Sequence, residues 1–124
     1  MQDPQFRYRA YALNGLGLVA FARNEYPAAI ARFGEALAAD NRYAEPAVNL
    51  AALYRAAGNL PAAQAAAQAA LGRDARAHRA HYLLALIAEA QGDRAAARRA
   101  LAAAVRLAPD NNDYRALAAR LGGI

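Results

Sequence analysis

Apolar and small positions along this chain repeat at a fixed distance. Leu16, Leu50 and Leu84 are spaced by 34, as are Ala29, Ala63 and Ala97, then Ala36, Ala70 and Ala104. Leu37, Leu71 and Val105 keep the same register. Between these stripes the chain turns at Asn24, Gly58 and Gly92, each followed by a polar residue: Glu25, Asn59 and Asp93. A period of this size marks a stack of similar supersecondary units, each too small to bury its own apolar face. The punctuation divides each unit into two helices, over 4–23 and 27–39, then 42–57 and 61–71, then 76–91 and 94–107. Asp3-Pro4 reads as an N-cap followed by Pro at the first helical position, and Pro27 and Pro61 take that opening position in the same slot. A last helix over 112–121 carries Tyr114, Leu117 and Leu121 as one stripe and stops at Gly122-Gly123. Arg115 and Arg120 lie off that stripe, so it reads as a cap with a polar back. The expectation is an all-α chain of seven helices with no strand.

The first helix departs from this two-sided pattern by being apolar almost all round. Phe6, Leu13 and Leu16 can face the core, which leaves Tyr8, Tyr11, Leu18 and Val19 without a role inside the chain. A helix of that kind is normally covered, here by a second subunit, a partner or a neighbouring domain.

Composition narrows the class. About a third of the 124 residues are alanine, the best helix former, so the core must rest on close helix contact with few bulky anchors. There is no Cys, which excludes disulfides, thiolate catalysis and Cys-based metal sites. Ser and Thr are absent too, no phosphate-cradling loop appears and the acidic residues are scattered, so no catalytic constellation can be drawn. No apolar run reaches the length of a membrane span, and residues 1–7 have no signal-peptide pattern. The expected location is the cytoplasm, or the periplasm if the chain is a trimmed fragment. The net charge is +5 and every basic residue is Arg, which with the Ala content points to a GC-rich bacterial source.

These residues resemble the tetratricopeptide repeat (TPR) pattern. The first copy reads Leu13-x2-Leu16-Gly17-x2-Ala20, then Ala29-x3-Phe33. The second reads Ala47-x2-Leu50-Ala51-x2-Tyr54, then Ala63-x3-Ala67; the third reads His81-x2-Leu84-Ala85-x2-Ala88, then Ala97-x3-Leu101, with Pro109 at the end. Repeats at 10–43, 44–77 and 78–111 with the capping helix make 1–124 a single domain, a TPR-type α-solenoid. Gly17, Ala51 and Ala85 are expected where paired helices press closest, and His81 in an aromatic core slot.

The resemblance implies that the first helix of each repeat lines a concave groove that binds a protein or peptide. Mapped residue by residue, the groove candidates are Tyr11, Asn14, Leu18, Phe21, Glu45, Val48, Asn49, Arg55, Arg79, Tyr82, Leu86 and Glu89, with Ala52 among them. One subset of the family grips acidic chaperone tails with a clamp of Lys, Asn and Arg. Asn49 and Arg79 match two of its five positions, while Asn14, Leu18 and Leu83 do not match the other three. The expected role is a non-catalytic scaffold, as a subunit or domain of a larger bacterial assembly; the alternative is a self-association module working through the first helix. Neither needs a cofactor. His78 and His81, with Asp74 a turn before, have a spacing that could hold a metal, but helix start and core are the expected roles. The Arg sets 94, 98, 99 and 106, and 73, 76 and 79, could meet phosphates or an acidic partner, but no aromatic residue interleaves with them for base stacking, so nucleic acid is disfavoured.

Overall fold

The computed structural model describes residues 4–123, so Asp3, the expected N-cap, lies outside the described residues. Among them are seven helices and no strand: α1 Pro4–Ala22, α2 Tyr26–Ala39, α3 Glu45–Ala56, α4 Leu60–Arg73, α5 His78–Ala90, α6 Arg94–Leu107 and α7 Asn112–Arg120. The turn inside each repeat is built the same way. Asn24, Gly58 and Gly92 adopt left-handed φ values of 59°, 82° and 79°. Asn tolerates that region better than other non-glycine residues, which is why it can replace Gly here. The next residue then closes back onto the helix end: Glu25 N–H donates to the Ala20 carbonyl at 2.9 Å, Asn59 to Tyr54 at 2.8 Å and Asp93 to Ala88 at 2.9 Å. The side chains of Asn59 and Asp93 then cap the following helices, accepting from Ala62 and Ala96 N–H.

Between repeats the chain turns differently, and here three expected boundaries move, α4 running to Arg73, two residues beyond its expected end. α3 and α5 start at Glu45 and His78, two to three residues later than the sequence pattern suggests. The cause is an Asx turn in each loop. Asp40 Oδ1 accepts from Arg42 N–H at 3.0 Å, and Asp74 Oδ1 from Arg76 N–H at 2.9 Å. These bonds hold residues 41–44 and 75–77 out of the helix. Arg73, reaching back from α4, donates to the carbonyls of Asp40 at 2.7 Å and Leu37 at 3.2 Å.

Paired helices pack most closely at the small residues. Gly17 faces Phe33 so tightly that an added Cβ would stand 2.5 Å from its ring. Ala51 and Ala85, in register with it, are fully buried. The core then runs as successive clusters along the stack, the last formed by α5, α6 and the α7 residues Tyr114, Leu117 and Leu121. Those three are 2%, 1% and 2% exposed, so α7 closes the C-terminal end as expected. His81 does not fill a core slot. It is half-exposed, with Nε2 3.4 Å from the Ala75 carbonyl, because the late start of α5 leaves it facing the preceding loop. The other end is uncapped. Of Phe6, Leu13 and Leu16, only Leu13 is buried; Phe6 is 48% exposed beside the end of α2, and Leu16 is 54% exposed because no described element covers the outer face of α1.

Candidate functional site

α1 packs against α3 and α3 against α5, whereas the second helices α2, α4 and α6 show no comparable contact with one another. The first helices therefore lie on the inside of the curve, and their inward side chains form one continuous surface. Tyr11 and Leu18 are 46% and 44% exposed there. Phe21 is half-buried, with its ring edge against Tyr26 at 5.7 Å between centroids. Tyr82 and Leu86 continue the apolar strip on α5, also half-buried, with Ala52 on α3 between them.

The charges of the groove are mostly paired. Arg79 Nη1 donates to Glu45 Oε2 at 3.4 Å, linking α5 to α3 across one repeat. Glu89 is gripped from α7: Arg120 donates to its two oxygens at 2.9 and 2.7 Å. That bidentate bond is the main reason the Glu89 carboxyl sits below its ordinary range; partial burial opposes it, and the charges of Arg120, Arg55 and Arg94 add to it. Arg55 is exposed and forms no ion pair among the described residues, which leaves its guanidinium open to a partner.

Three expected groove residues are not on the surface. Val48 is 0% exposed and belongs to the core between repeats. Asn14 and Asn49 are 7% and 4% exposed. Asn49 Nδ2 donates to Asn14 Oδ1 at 2.9 Å, and Asn14 Nδ2 donates to the Tyr43 hydroxyl at 3.2 Å. Buried amides must find partners, and these find each other, so they fasten α1 to α3 and do not offer themselves to a ligand. With Asn49 consumed and Arg79 paired to Glu45, the two positions that match the acidic-tail clamp are both engaged.

Two groove residues escape a reading confined to the first helices. Tyr43 sits in the α2–α3 loop and packs edge-on against Tyr11 at 4.8 Å. Its hydroxyl is pushed to a higher pKa, first by burial, then by the nearby Glu45 and Tyr11. Arg120 comes from the cap. A third aromatic, Tyr114, supports the groove from beneath. It is buried, stacks under Tyr82 at 4.7 Å and shares a 2.6 Å hydrogen bond with His78 Nδ1. That bond occupies Nδ1 of His78, one of the two histidines with metal-like spacing. Of the Arg sets, Arg94, Arg98 and Arg99 share one surface of α6, while members of both sets are engaged within the chain. Arg73 is tied to loop carbonyls and Arg79 to Glu45, while Arg98 donates to the Gly123 carbonyl at 3.0 Å.

The sequence profile of the tetratricopeptide repeat family matches residues 48–112. The chain belongs to that family. Solved structures, TPR domains among them, overlay on nearly all of it. One is the first TPR domain of Spaghetti (RPAP3), bound to the HSP90 peptide SRMEEVD, with TM-score 0.85 and 17% identity over 93% of this chain and 91% of that one. The Arabidopsis OM64 TPR domain gives TM-score 0.86 and 18% identity, covering 94% and 96%. The Yersinia enterocolitica type III secretion chaperone SycD, in complex with a peptide of the translocator YopD, gives 0.77 and 20%, covering 90% and 85%. At these identities the likeness establishes the TPR fold. Comparison with curated proteins gives no significant match. No helix among the described residues is long and apolar enough to cross a membrane.

Proposed function

We propose that this TPR domain is a non-catalytic scaffold that binds a protein or peptide segment along the groove, with apolar anchors on Tyr11, Leu18, Phe21, Tyr82 and Leu86. The observation that carries this reading is the exposed apolar strip on the inner helices, bordered by fixed ion pairs. Two of the similar folds, RPAP3 and SycD, are seen with peptides, which supports the use of this architecture for peptide capture. Arg55 is the cation best placed to take an acidic or carbonyl group. The engaged Asn49 and Arg79 argue against an acidic tail as the ligand, and favour an extended or helical segment with apolar side chains. A place as a subunit of a larger bacterial assembly, in the cytoplasm or periplasm, and action without cofactor or metal fit the same reading.

Panning a random peptide library against the whole chain, followed by calorimetry of the selected peptides, tests it. Leu18→Ala and Tyr11→Ala should each weaken binding by about tenfold or more, because desolvated aromatic and aliphatic anchors carry most interface energy. Arg98→Ala should have little effect, and SRMEEVD should bind weakly or not at all. Loss of binding through Arg98 and Arg99 variants, with Leu18→Ala silent, would overturn the groove reading in favour of the Arg-rich α6 surface.

A further inference from the structure

The repeat itself shows what the outer face of α1 is built to meet. Val19 is in register with Leu53, Ile87 and Leu121, which are 1%, 1% and 2% exposed because each is covered from the N-terminal side of the stack. Ala12 is in register with Pro46, Ala80 and Tyr114, all buried. On α1 these two positions are bare: Val19 is 50% exposed and Ala12 is exposed, with Leu16 at 54% and Tyr8 at 72% exposed beside them. Gly15 adds a second observation. Glycine inside a helix is destabilising relative to alanine. Gly17 has its reason within the chain, since Phe33 leaves no room for a Cβ, but nothing lies within 4 Å of the Cβ position at Gly15. Gly34 and Gly72 are open in the same way, so what sets Gly15 apart is its place on the bare apolar face, where it leaves room for a close approach.

We infer that this face is a self-association surface on which a second copy of the chain packs its own α1, antiparallel about a two-fold axis near Ala12 and Gly15. A helix of the α2, α4 or α6 kind would also fit the face. A second copy cannot supply one, however. The buried stripes of α2 and α4 serve the repeats that follow them, and that of α6 is closed by α7, whose outward residues are polar: Asp113, Arg115 and Arg120. The copy's own α1 is the remaining apolar face. The size fits a reversible dimer. With an aromatic side chain offering about 150–250 Å² in full and the aliphatic ones less, the exposed surface of Tyr8, Ala12, Gly15, Leu16 and Val19 comes to roughly 400–500 Å² per copy. Two such faces could bury at most about 1,000 Å², the size of a weak, reversible interface. Each copy carries a net +5 charge, so screening should favour pairing. This surface is separate from the groove and needs no ligand there.

Sedimentation velocity of the whole chain, from micromolar to submillimolar concentration, tests the inference. The expected result is a monomer–dimer equilibrium that tightens as salt is added. Leu16→Glu and Val19→Glu, at exposed positions, should each weaken dimerisation by about tenfold or more while leaving the helical spectrum of the monomer unchanged. Gly15→Leu gives an independent readout. It should stabilise the dilute monomer, since the site is open and leucine is the better helix former, yet weaken the dimer. A chain that stays monomeric throughout would overturn the inference and leave the face to another protein or another part of a longer chain. A dimer indifferent to all three variants would overturn it equally.

Discussion

Two glycines two residues apart on α1 should respond to the same substitution with opposite signs. Gly15→Ala and Gly17→Ala both replace glycine by the best helix former, a gain of about 1 kcal/mol in each case. At Gly15 nothing lies within 4 Å of the new methyl group, so the gain should appear in full in dilute monomer. For a domain of this size that is roughly 3–5 °C in Tm. At Gly17 the methyl would stand 2.5, 2.6 and 3.0 Å from three carbons of the Phe33 ring. Carbon atoms prefer about 3.5–4.0 Å, so ring or helix must move by about 1 Å. Phe33 is 0% exposed, within the cluster of Ala20, Ala29 and Leu53, so it has nowhere to go. Overpacking of this kind costs about 1–3 kcal/mol. Gly17→Ala should therefore be neutral to about 2 kcal/mol destabilising. The difference between the variants isolates the contact, because the propensity gain cancels. Urea denaturation followed by circular dichroism measures both. Phe33→Leu should cost less in the Gly17→Ala background than alone, since it removes the clash. Equal stabilisation by both alanines, or strict additivity with Phe33→Leu, would show that α1 and α2 do not meet at Gly17.

Asn49→Ala should destabilise by about 1–3 kcal/mol, because it strands the buried Asn14 oxygen that Asn49 satisfies; Arg79→Ala, which breaks only a half-exposed ion pair, should cost under about 1 kcal/mol in the same urea titration. Acid should loosen the cap. The Glu89 carboxyl lies below its ordinary 4.5 when folded, so the stability it lends is complete above that pH and is lost as pH falls through the depressed native value. Hydrogen exchange in α7 should rise over that acid window, and Glu89→Gln should remove that rise; a Gln variant with the same acid dependence would refute the assignment.

The 34-residue register, the three helix pairs and the cap were legible in the sequence because a repeat states the same packing solution several times. Small residues at Gly17, Ala51 and Ala85, and the left-handed turn at Asn24, Gly58 and Gly92, carry their own physical reasons. The loops were less legible. Asp40 and Asp74 redirect the backbone through single hydrogen bonds, and hydrophobic periodicity is blind to those. The groove was legible as a set of helix faces but not residue by residue. A helix position fixes direction to within a sector, and whether a side chain at its edge stays open depends on the neighbouring helix. That is why Val48, Asn14 and Asn49 are covered while Tyr11 and Leu18 stay open, and why Tyr43 and Arg120 enter from elements that a first-helix pattern does not include. Which residues repeat can be read along the chain. Which of the repeated positions have a neighbour follows from the packing in three dimensions, because burial belongs to a pair of surfaces and α1 supplies only one of them.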